Sequence, residues 1–172
     1  MASLQASLRG QVSFGPADLA EVMGRVNHLI CDASSANRYA TFFYAQFDPQ
    51  ARTLAYVNAG HNAPMLLRAG GGVERLEQGG PVVRLIEVAG YQAGEVRLGP
   101  GDRLLAYTDG LSEAMNPADE EWGEERLLAA FRGCDRVSAS ETVRRLIAAA
   151  DDFAAGAPQH DDMTVLVARF LA

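Results

Sequence analysis

Lysine is absent from this sequence, and all 15 positively charged side chains are arginines scattered along the chain. Acidic residues number 22, so the net charge is -7, and no run of basic residues occurs. Binding to a nucleic-acid backbone requires clustered positive charge. We therefore expect no nucleic-acid partner.

Cysteine is also scarce. Cys31 and Cys134 are far apart and have no neighbours at metal-ligand spacing, which predicts two reduced thiols in an intracellular protein. No stretch approaches the roughly 20 apolar residues of a membrane span, and the N-terminus lacks the pattern of a secretion signal. These absences predict a cytoplasmic protein without a membrane span.

Two catalytic signatures are missing as well. Residues 70–72 are three glycines, but no Lys-Ser/Thr pair and no helix pattern follow them, so they are not a nucleotide-binding P-loop. No strand-to-helix elbow presents a nucleophilic serine for a triad. The sequence thus offers no support for a kinase-like nucleotide binder.

The 172 residues are 48% hydrophobic and 22% charged, an ordinary globular composition. This length is enough for one domain with a proper core and too short for two comfortable ones. We therefore predict a single domain over residues 1–172.

Helical spacing dominates the first part of the chain. Residues 1–10 have leucines one turn apart, which predicts a helix that starts at the first residue. Residues 16–34 predict a second helix whose apolar stripe is formed by Leu19, Val22, Met23, Val26, Leu29 and Ile30.

Beyond residue 39 the pattern becomes typical of strands. Residues 41–47 and 53–58 flank a turn and predict an antiparallel hairpin. Further strands are predicted at 64–68, 73–76, 95–98, 103–107 and 163–170, and the segment 103–107 is apolar enough to be central. Helices are predicted at 124–131 and 139–153, the latter with Ser138 and Glu141 at capping-box spacing. Separate runs of strands and helices indicate an α+β fold.

Acidic residues occur at the ends of two predicted strands. Asp109 follows the buried strand in Thr108-Asp109-Gly110, and Asp161 and Asp162 precede the last strand. Carboxylates at the ends of rigid strands suit Mg²⁺ or Mn²⁺, which prefer oxygen ligands. An aspartate at a strand end can equally form a turn or cap a helix. The carboxylates converge only if the two strands are neighbours in the sheet.

The histidines are weaker candidates. His61 lies in the turn at residues 58–64, where it could face a ligand, but a turn stabilised by asparagine side chains is the favoured interpretation. His28 lies in a helical pattern and is predicted to be structural. His160 could contact a substrate phosphate or serve only in its loop.

Five segments together resemble the bacterial stage-II-sporulation-E-like phosphatases, a branch of the metal-dependent type 2C protein phosphatases. They are Arg-Tyr-Ala-Thr-Phe-Phe-Tyr at 38–44, Tyr-Val-Asn-Ala-Gly-His-Asn-Ala-Pro at 56–64, Pro-Gly-Asp-Arg-Leu-Leu-Ala-Tyr-Thr-Asp-Gly-Leu-Ser-Glu-Ala at 100–114, Trp-Gly-Glu-Glu-Arg-Leu at 122–127 and Pro-Gln-His-Asp-Asp-Met-Thr at 158–164. Their order and spread over nearly the whole chain make chance similarity a poor explanation.

The resemblance implies a four-layer αββα sandwich of two antiparallel sheets flanked by helices, with two Mn²⁺ or Mg²⁺ ions at one end. It implies that Asp109 and Asp161 are catalytic metal ligands and that Asp162 is a further polar residue of the metal site. Gly110, His61 and Asn62 are implied to adjoin the site. The implied activity is hydrolysis of phosphoserine or phosphothreonine by a metal-bridged hydroxide, on a signalling protein such as an anti-sigma-factor antagonist.

One family segment has no counterpart in these residues. The family places a Gly-Asp-Val-x-Gly-x-Gly segment just before the helix that starts here at Met1, and its aspartate bridges both metals. We therefore expect a truncated domain that lacks its N-terminal strands, with an incomplete metal site and little or no turnover. Exposed sheet edges would then favour a homodimer or strand exchange.

Two further expectations rest on the resemblance. The full gene product could carry an upstream sensor domain, and the first two helices could couple it to the metal site. The alternative function is a non-catalytic regulatory or interaction module built on a degenerate phosphatase fold.

Overall fold

The computed structural model describes residues 18–32 and 39–171. The predicted helix over residues 1–10 lies outside them. The described chain forms two compact units, which comprise residues 18–32, 39–61 and 76–98 in the first and 62–75 and 99–171 in the second.

The first unit combines one helix with a four-stranded sheet. Helix α1 (Leu19–Asp32) is followed by strands β1 (Phe42–Asp48) and β2 (Thr53–Ala59), which form the predicted antiparallel hairpin from Phe42↔Ala59 to Asp48↔Thr53. Two short strands, β5 (Gly79–Gly80) and β6 (Gly94–Arg97), also pair with β2. The β2–β5 pair is parallel, a small departure from the expected all-antiparallel sheet.

The apolar face of α1 forms the core of this unit. Leu19, Val22, Met23 and Val26 pack with residues of β2 and of the segment 83–91. Leu29 was predicted to belong to the same stripe, and this prediction is wrong, because Leu29 is 40% exposed. The buried position is Asn27, which lies eight residues after Leu19 and therefore on the same helical face.

Asn27 is buried because its amide replaces the hydrogen bonds that it would make to water. Its Nδ2 donates to the carbonyl oxygens of Ile86 at 2.8 Å and Glu87 at 3.0 Å, and its Oδ1 accepts from Arg84 N at 2.7 Å. One side chain thereby fixes the loop that follows β5.

The second unit contains a four-stranded antiparallel sheet in the order β4-β3-β7-β8. Its strands are β3 (Met65–Leu67), β4 (Val73–Arg75), β7 (Arg103–Tyr107) and β8 (Val165–Arg169). Strand β7 lies between β3 and β8, which confirms its predicted central position. The prediction follows from its nearly continuous apolar sequence.

Three helices accompany this sheet: α2 (Asp109–Ser112), α3 (Gly123–Arg132) and α4 (Ala139–Ala154). The core joins them to β3 and β7 through buried residues that include Leu105, Tyr107, Leu127, Phe131 and Leu146. Ser138 caps α4 as predicted, since its side chain accepts a hydrogen bond from Glu141 N at 3.1 Å. The predicted α+β class, with two largely antiparallel sheets and flanking helices, is confirmed.

Candidate metal centre

The two acidic segments meet because their strands are neighbours. β7 and β8 run antiparallel, and Tyr107 at the end of β7 pairs with Val165 at the start of β8. Asp109 therefore follows one strand at the same sheet edge where Asp161 and Asp162 precede the other. The sequence left this adjacency open.

Thr108 fastens the two segments together. Its N–H donates to Thr164 O at 3.1 Å, its hydroxyl donates to Asp162 O at 2.9 Å, and its hydroxyl oxygen accepts from Thr164 N at 2.8 Å. Three hydrogen bonds from one residue thus hold the loop before β8 against the end of β7.

Gly110 allows the two backbones to approach closely. A Cβ atom built on Gly110 would lie 2.7 Å from Asp162 O and 3.0 Å from Asp161 O. These neighbours are backbone atoms, which cannot rotate out of the way as a flexible side chain could. The position therefore requires glycine because of packing.

Asp109 starts the short helix α2, which the sequence did not predict. Its Oδ1 accepts from Gly110 N at 2.9 Å, and its carbonyl oxygen accepts from Glu113 N at 2.7 Å. Its side chain is exposed, so carboxylate oxygen remains accessible to a cation.

Asp161 and Asp162 are also exposed. Asp161 Oδ1 accepts from Asp162 N at 2.7 Å, and Gln159 Nε2 donates to Asp161 O at 2.7 Å. These local bonds shape the loop before β8 and hold the Asp161 carboxylate in place. His160 is exposed in the same loop.

A pocket of about 130 Å³ adjoins this loop. Gly110, His160 and Asp161 contribute to one part of its lining, and Glu113 and Asp151 add two further carboxylates. The remaining lining is largely apolar and includes Met115 and Met163. The pocket gives the candidate site a neighbouring cavity that a substrate side chain could enter.

The turn at residues 58–64 is held by an asparagine, as the favoured interpretation predicted. Asn58 is buried, its Oδ1 accepts from His61 N at 2.7 Å, and its Nδ2 donates to His61 O at 2.9 Å. His61 and Asn62 are both half-buried. Their suggested place near a substrate stays a prediction.

A buried polar network behind the strand end was not predicted. Tyr107 is 1% exposed, its hydroxyl donates to Glu124 Oε1, and Arg75 Nη1 donates to the Tyr107 hydroxyl at 3.3 Å. Arg75 also pairs with Glu124 at 2.8 Å. Burial and the hydrogen bond to Glu124 raise the pKa of Tyr107. The sequence gives no signal for these contacts, because the partners lie on three separate elements.

The oxygen donors of Asp109, Asp161 and Asp162 fit the preference of a hard divalent cation. Across residues 18–32 and 39–171, however, only His28, Asp32 and Glu87 place three ligand atoms within 4.8 Å of one another, and all three residues are exposed. The strand-end aspartates do not form such a three-ligand cluster in this part of the chain, and their assignment as metal ligands stays a prediction.

Comparison with solved structures identifies the class of fold. The SiaA PP2C domain of Pseudomonas aeruginosa matches 98% of this chain with a TM-score of 0.85 and 23% identity, and the match covers 68% of that chain. The catalytic domain of the serine/threonine protein phosphatase PstP, solved with two manganese ions, matches 99% with a TM-score of 0.71 and 19% identity, over 80% of its chain. The fold is therefore that of the PP2C phosphatase domains.

The family follows from the sequence itself. The model of the stage II sporulation protein E (SpoIIE) family matches residues 1–171, and the chain belongs to that family. This is the family that the five motifs predicted, and its fold here is that of the PP2C phosphatase domains. Among curated proteins, Protein IcfG of Synechocystis sp. is 33% identical over 90 residues, which are 52% of this chain. The chain spans only 14% of the length of that relative.

None of the described helices is both long and apolar enough to cross a membrane.

Proposed function

We propose that this chain supplies the Asp109–Asp161 half of a metal-dependent phosphatase site that hydrolyses phosphoserine or phosphothreonine. The observation that carries the proposal is the pairing of β7 with β8, with Gly110 packed on the backbone of Asp161 and Asp162. This arrangement brings two exposed carboxylates to one sheet edge on rigid supports.

In this proposal Asp109 and Asp161 are ligands of a Mn²⁺ or Mg²⁺ ion, and Asp162 is an auxiliary polar residue of the loop. A bound divalent ion supplies Lewis-acid stabilisation of phosphate oxygens and lowers the pKa of a coordinated water. The residues of the chain itself position the ligands: Thr108 holds the loop, and Gly110 permits the contact. Gly110, His61 and Asn62 are proposed to adjoin the substrate.

The remaining ligands are proposed to come from the family's Gly-Asp-Val-x-Gly-x-Gly segment, a motif that these 172 residues do not contain. We therefore propose weak metal binding and low turnover for the chain by itself. We also propose that residues 1–172 act as one phosphatase domain in the cytoplasm, on a phosphorylated signalling protein such as an anti-sigma-factor antagonist. An upstream sensor domain would regulate it.

Hydrolysis of a phosphoserine peptide in the presence of Mn²⁺ tests this proposal. Three proteins are compared: the 172-residue chain, a version with the family's Gly-Asp segment placed ahead of Met1, and that version with Asp109→Asn. The proposal predicts turnover only in the extended wild type. Equal activity of the 172-residue chain, lost on Asp109→Asn, would show that another carboxylate of this chain completes the site.

The alternative is a non-catalytic interaction module. The observation that favours it is the absence, within the described ranges, of a three-ligand cluster at Asp109 and Asp161. The same experiment decides between the two, because an interaction module remains inactive even after the Gly-Asp segment is added.

A further inference from the structure

Arginines gather at the end of the second sheet that lies away from Asp109. Arg103 begins β7 and Arg169 ends β8, and the two are direct partners in the strand pairing. They line a pocket of about 470 Å³ together with Arg68, Arg132 and one acidic residue, Asp135. This is an unusual concentration of positive charge in a chain of net charge -7.

Arg103 is the most informative member of this group. It is 6% exposed, its Nη1 donates to Phe131 O at 3.0 Å, and its guanidinium stacks 5.0 Å from the centre of the Phe131 ring. Neither contact supplies a negative charge. A buried cation of this kind is unfavourable unless a counter-charge is available.

The positive charge of Arg169 makes the burial of Arg103 still less favourable. Burial lowers the pKa of Arg103, and the nearby charge of Arg169 lowers it further, whereas Asp135 acts in the opposite direction. Arg169 donates to the carbonyl oxygens of Val137 and Asp135 and so binds no carboxylate through these contacts. Like charges placed directly opposite in a strand pair destabilise the sheet.

The acidic residues near the pocket only partly offset these charges. Arg68 is engaged with Glu74 at 2.7 Å and Asp102 at 2.8 Å. Asp135 is exposed and contacts Arg136 at 3.8 Å. Among the residues that line the pocket, Asp135 is therefore the single carboxylate beside Arg68, Arg103, Arg132 and Arg169, and positive charge is in excess there.

We propose that this pocket, lined by Arg103, Arg132 and Arg169, binds a phosphate-type oxyanion. Guanidinium groups suit tetrahedral oxyanions because their planar forks donate paired, charge-assisted hydrogen bonds. A bound anion would also relieve the repulsion between Arg103 and Arg169. The source of the anion is either free inorganic phosphate or a phosphorylated side chain.

Titration of the metal-free chain with inorganic phosphate, at constant ionic strength and against chloride, tests the proposal. Binding is followed by calorimetry and by amide shifts in two-dimensional NMR. We expect saturable binding, with the shifts concentrated at residues 67–69, 101 and 135. Without a metal ion, the carboxylates of Asp109, Asp161 and Asp162 repel phosphate and do not bind it. The result therefore does not depend on the proposed phosphatase activity.

Two exposed arginines provide a matched pair of variants. Arg132→Gln removes a pocket charge and should weaken phosphate binding about tenfold, as expected for one charge-assisted hydrogen bond. Arg144→Gln removes an equal charge from an exposed residue that does not line the pocket and should change affinity less than about twofold. Asp135→Asn should tighten binding, because it removes the opposing carboxylate.

Three results would overturn the proposal: no saturable binding of phosphate, an equal response to chloride, or equal weakening by the Arg132 and Arg144 variants. Parallel titrations with phosphoserine identify the source. Tighter binding of phosphoserine than of inorganic phosphate supports a phosphorylated side chain, and the reverse supports the free ion. Arg103→Met is a further variant that removes the buried pocket charge. If the Arg103→Met protein does not fold, the comparison based on Arg132→Gln still decides the outcome.

Discussion

The hydroxyl oxygen of Thr108 accepts a hydrogen bond from the backbone N–H of Thr164 at 2.8 Å, across the end of the β7–β8 pair. The same hydroxyl donates to Asp162 O. One side chain thus fastens the loop that bears Asp161 to the strand that leads into Asp109.

Replacement of Thr108 by valine should release that loop while the shape of the side chain is kept. We expect the free energy of unfolding to fall by about 1–2 kcal/mol, because two hydrogen bonds lose their partner. Mn²⁺ affinity should fall as well. Urea denaturation and metal titration measure the two effects. Thr108→Ser, which keeps the hydroxyl, should recover most of both, and a serine variant as impaired as the valine variant would refute this role.

Gly110→Ala should disturb the same contact by steric overlap. The new Cβ would lie 2.7 Å from Asp162 O, so the backbone must shift, at a cost of about 1–3 kcal/mol. Thermal unfolding measures this cost. Gly24→Ala is the matched control, because a Cβ there has no neighbour within 4 Å and alanine favours the helix by about 1 kcal/mol. A Gly110→Ala protein as stable as the wild type would contradict the packing argument.

Asp102 should make the second unit sensitive to acid. Its carboxylate is 6% exposed and accepts from Arg68 Nη1, Gly99 N and Ala69 N. Burial alone would raise the pKa of Asp102, but these hydrogen bonds outweigh it and the pKa is lowered. Because the pKa of Asp102 is lower in the folded state than in the unfolded state, its carboxylate stabilises the fold at any pH above its unfolded-state pKa of about 4. This stabilisation is lost as the pH falls through the folded-state pKa.

Asp102→Asn should therefore lower the free energy of unfolding by about 2–3 kcal/mol at neutral pH. It should also flatten the loss of stability below about pH 4. Urea denaturation across a pH series tests both. Asp152→Asn, at an exposed position on α4, is the control and should change the free energy of unfolding at neutral pH by less than about 0.5 kcal/mol. An Asp102→Asn protein with the wild-type acid profile would show that another group is responsible.

Tyr107→Phe should weaken the network behind the strand end. The variant keeps the aromatic ring in the core and the Arg75–Glu124 ion pair, and it loses only the hydroxyl contacts. We expect a loss of about 1 kcal/mol in stability. In the wild type, the raised pKa of Tyr107 means that this stabilisation is present below about pH 10 and is lost as the pH rises beyond that value. Ultraviolet titration of the phenol, compared between wild type and variant, tests the shift.

The sequence predicted most elements whose patterns are local. Strand β7 was evident because its residues are nearly all apolar. The β1–β2 hairpin was evident because a turn separates two segments typical of strands. The burial of Asn27 was not predicted, because the apolar pattern includes Leu29 and excludes a polar residue. Asn27 nevertheless has the helical spacing of the buried face. Strand β5 was not predicted, because its two residues are both glycines and therefore have no side-chain pattern.

The candidate site was predictable in its residues but not in its geometry. Asp109 and Asp161 stood out as strand-end carboxylates, whereas their adjacency depends on the pairing of strands that are separated by more than fifty residues. Arg103 could not be recognised as a buried cation, because arginine at the start of a strand is usually exposed. Such long-range contacts leave no periodic trace in the sequence.

The central claim is that Asp109 and Asp161 hold the same metal ion, and Mn²⁺ binding to the 172-residue chain tests it most directly. Electron paramagnetic resonance measures free Mn²⁺ for the wild type, Asp109→Asn, Asp161→Asn and the exposed control Asp119→Asn. We predict weak saturable binding that either site variant reduces by about tenfold or more, as expected when a ligand is lost, and that the control leaves unchanged. Binding that survives both site variants, and is abolished by Asp32→Asn in the His28–Asp32–Glu87 cluster, would contradict the claim.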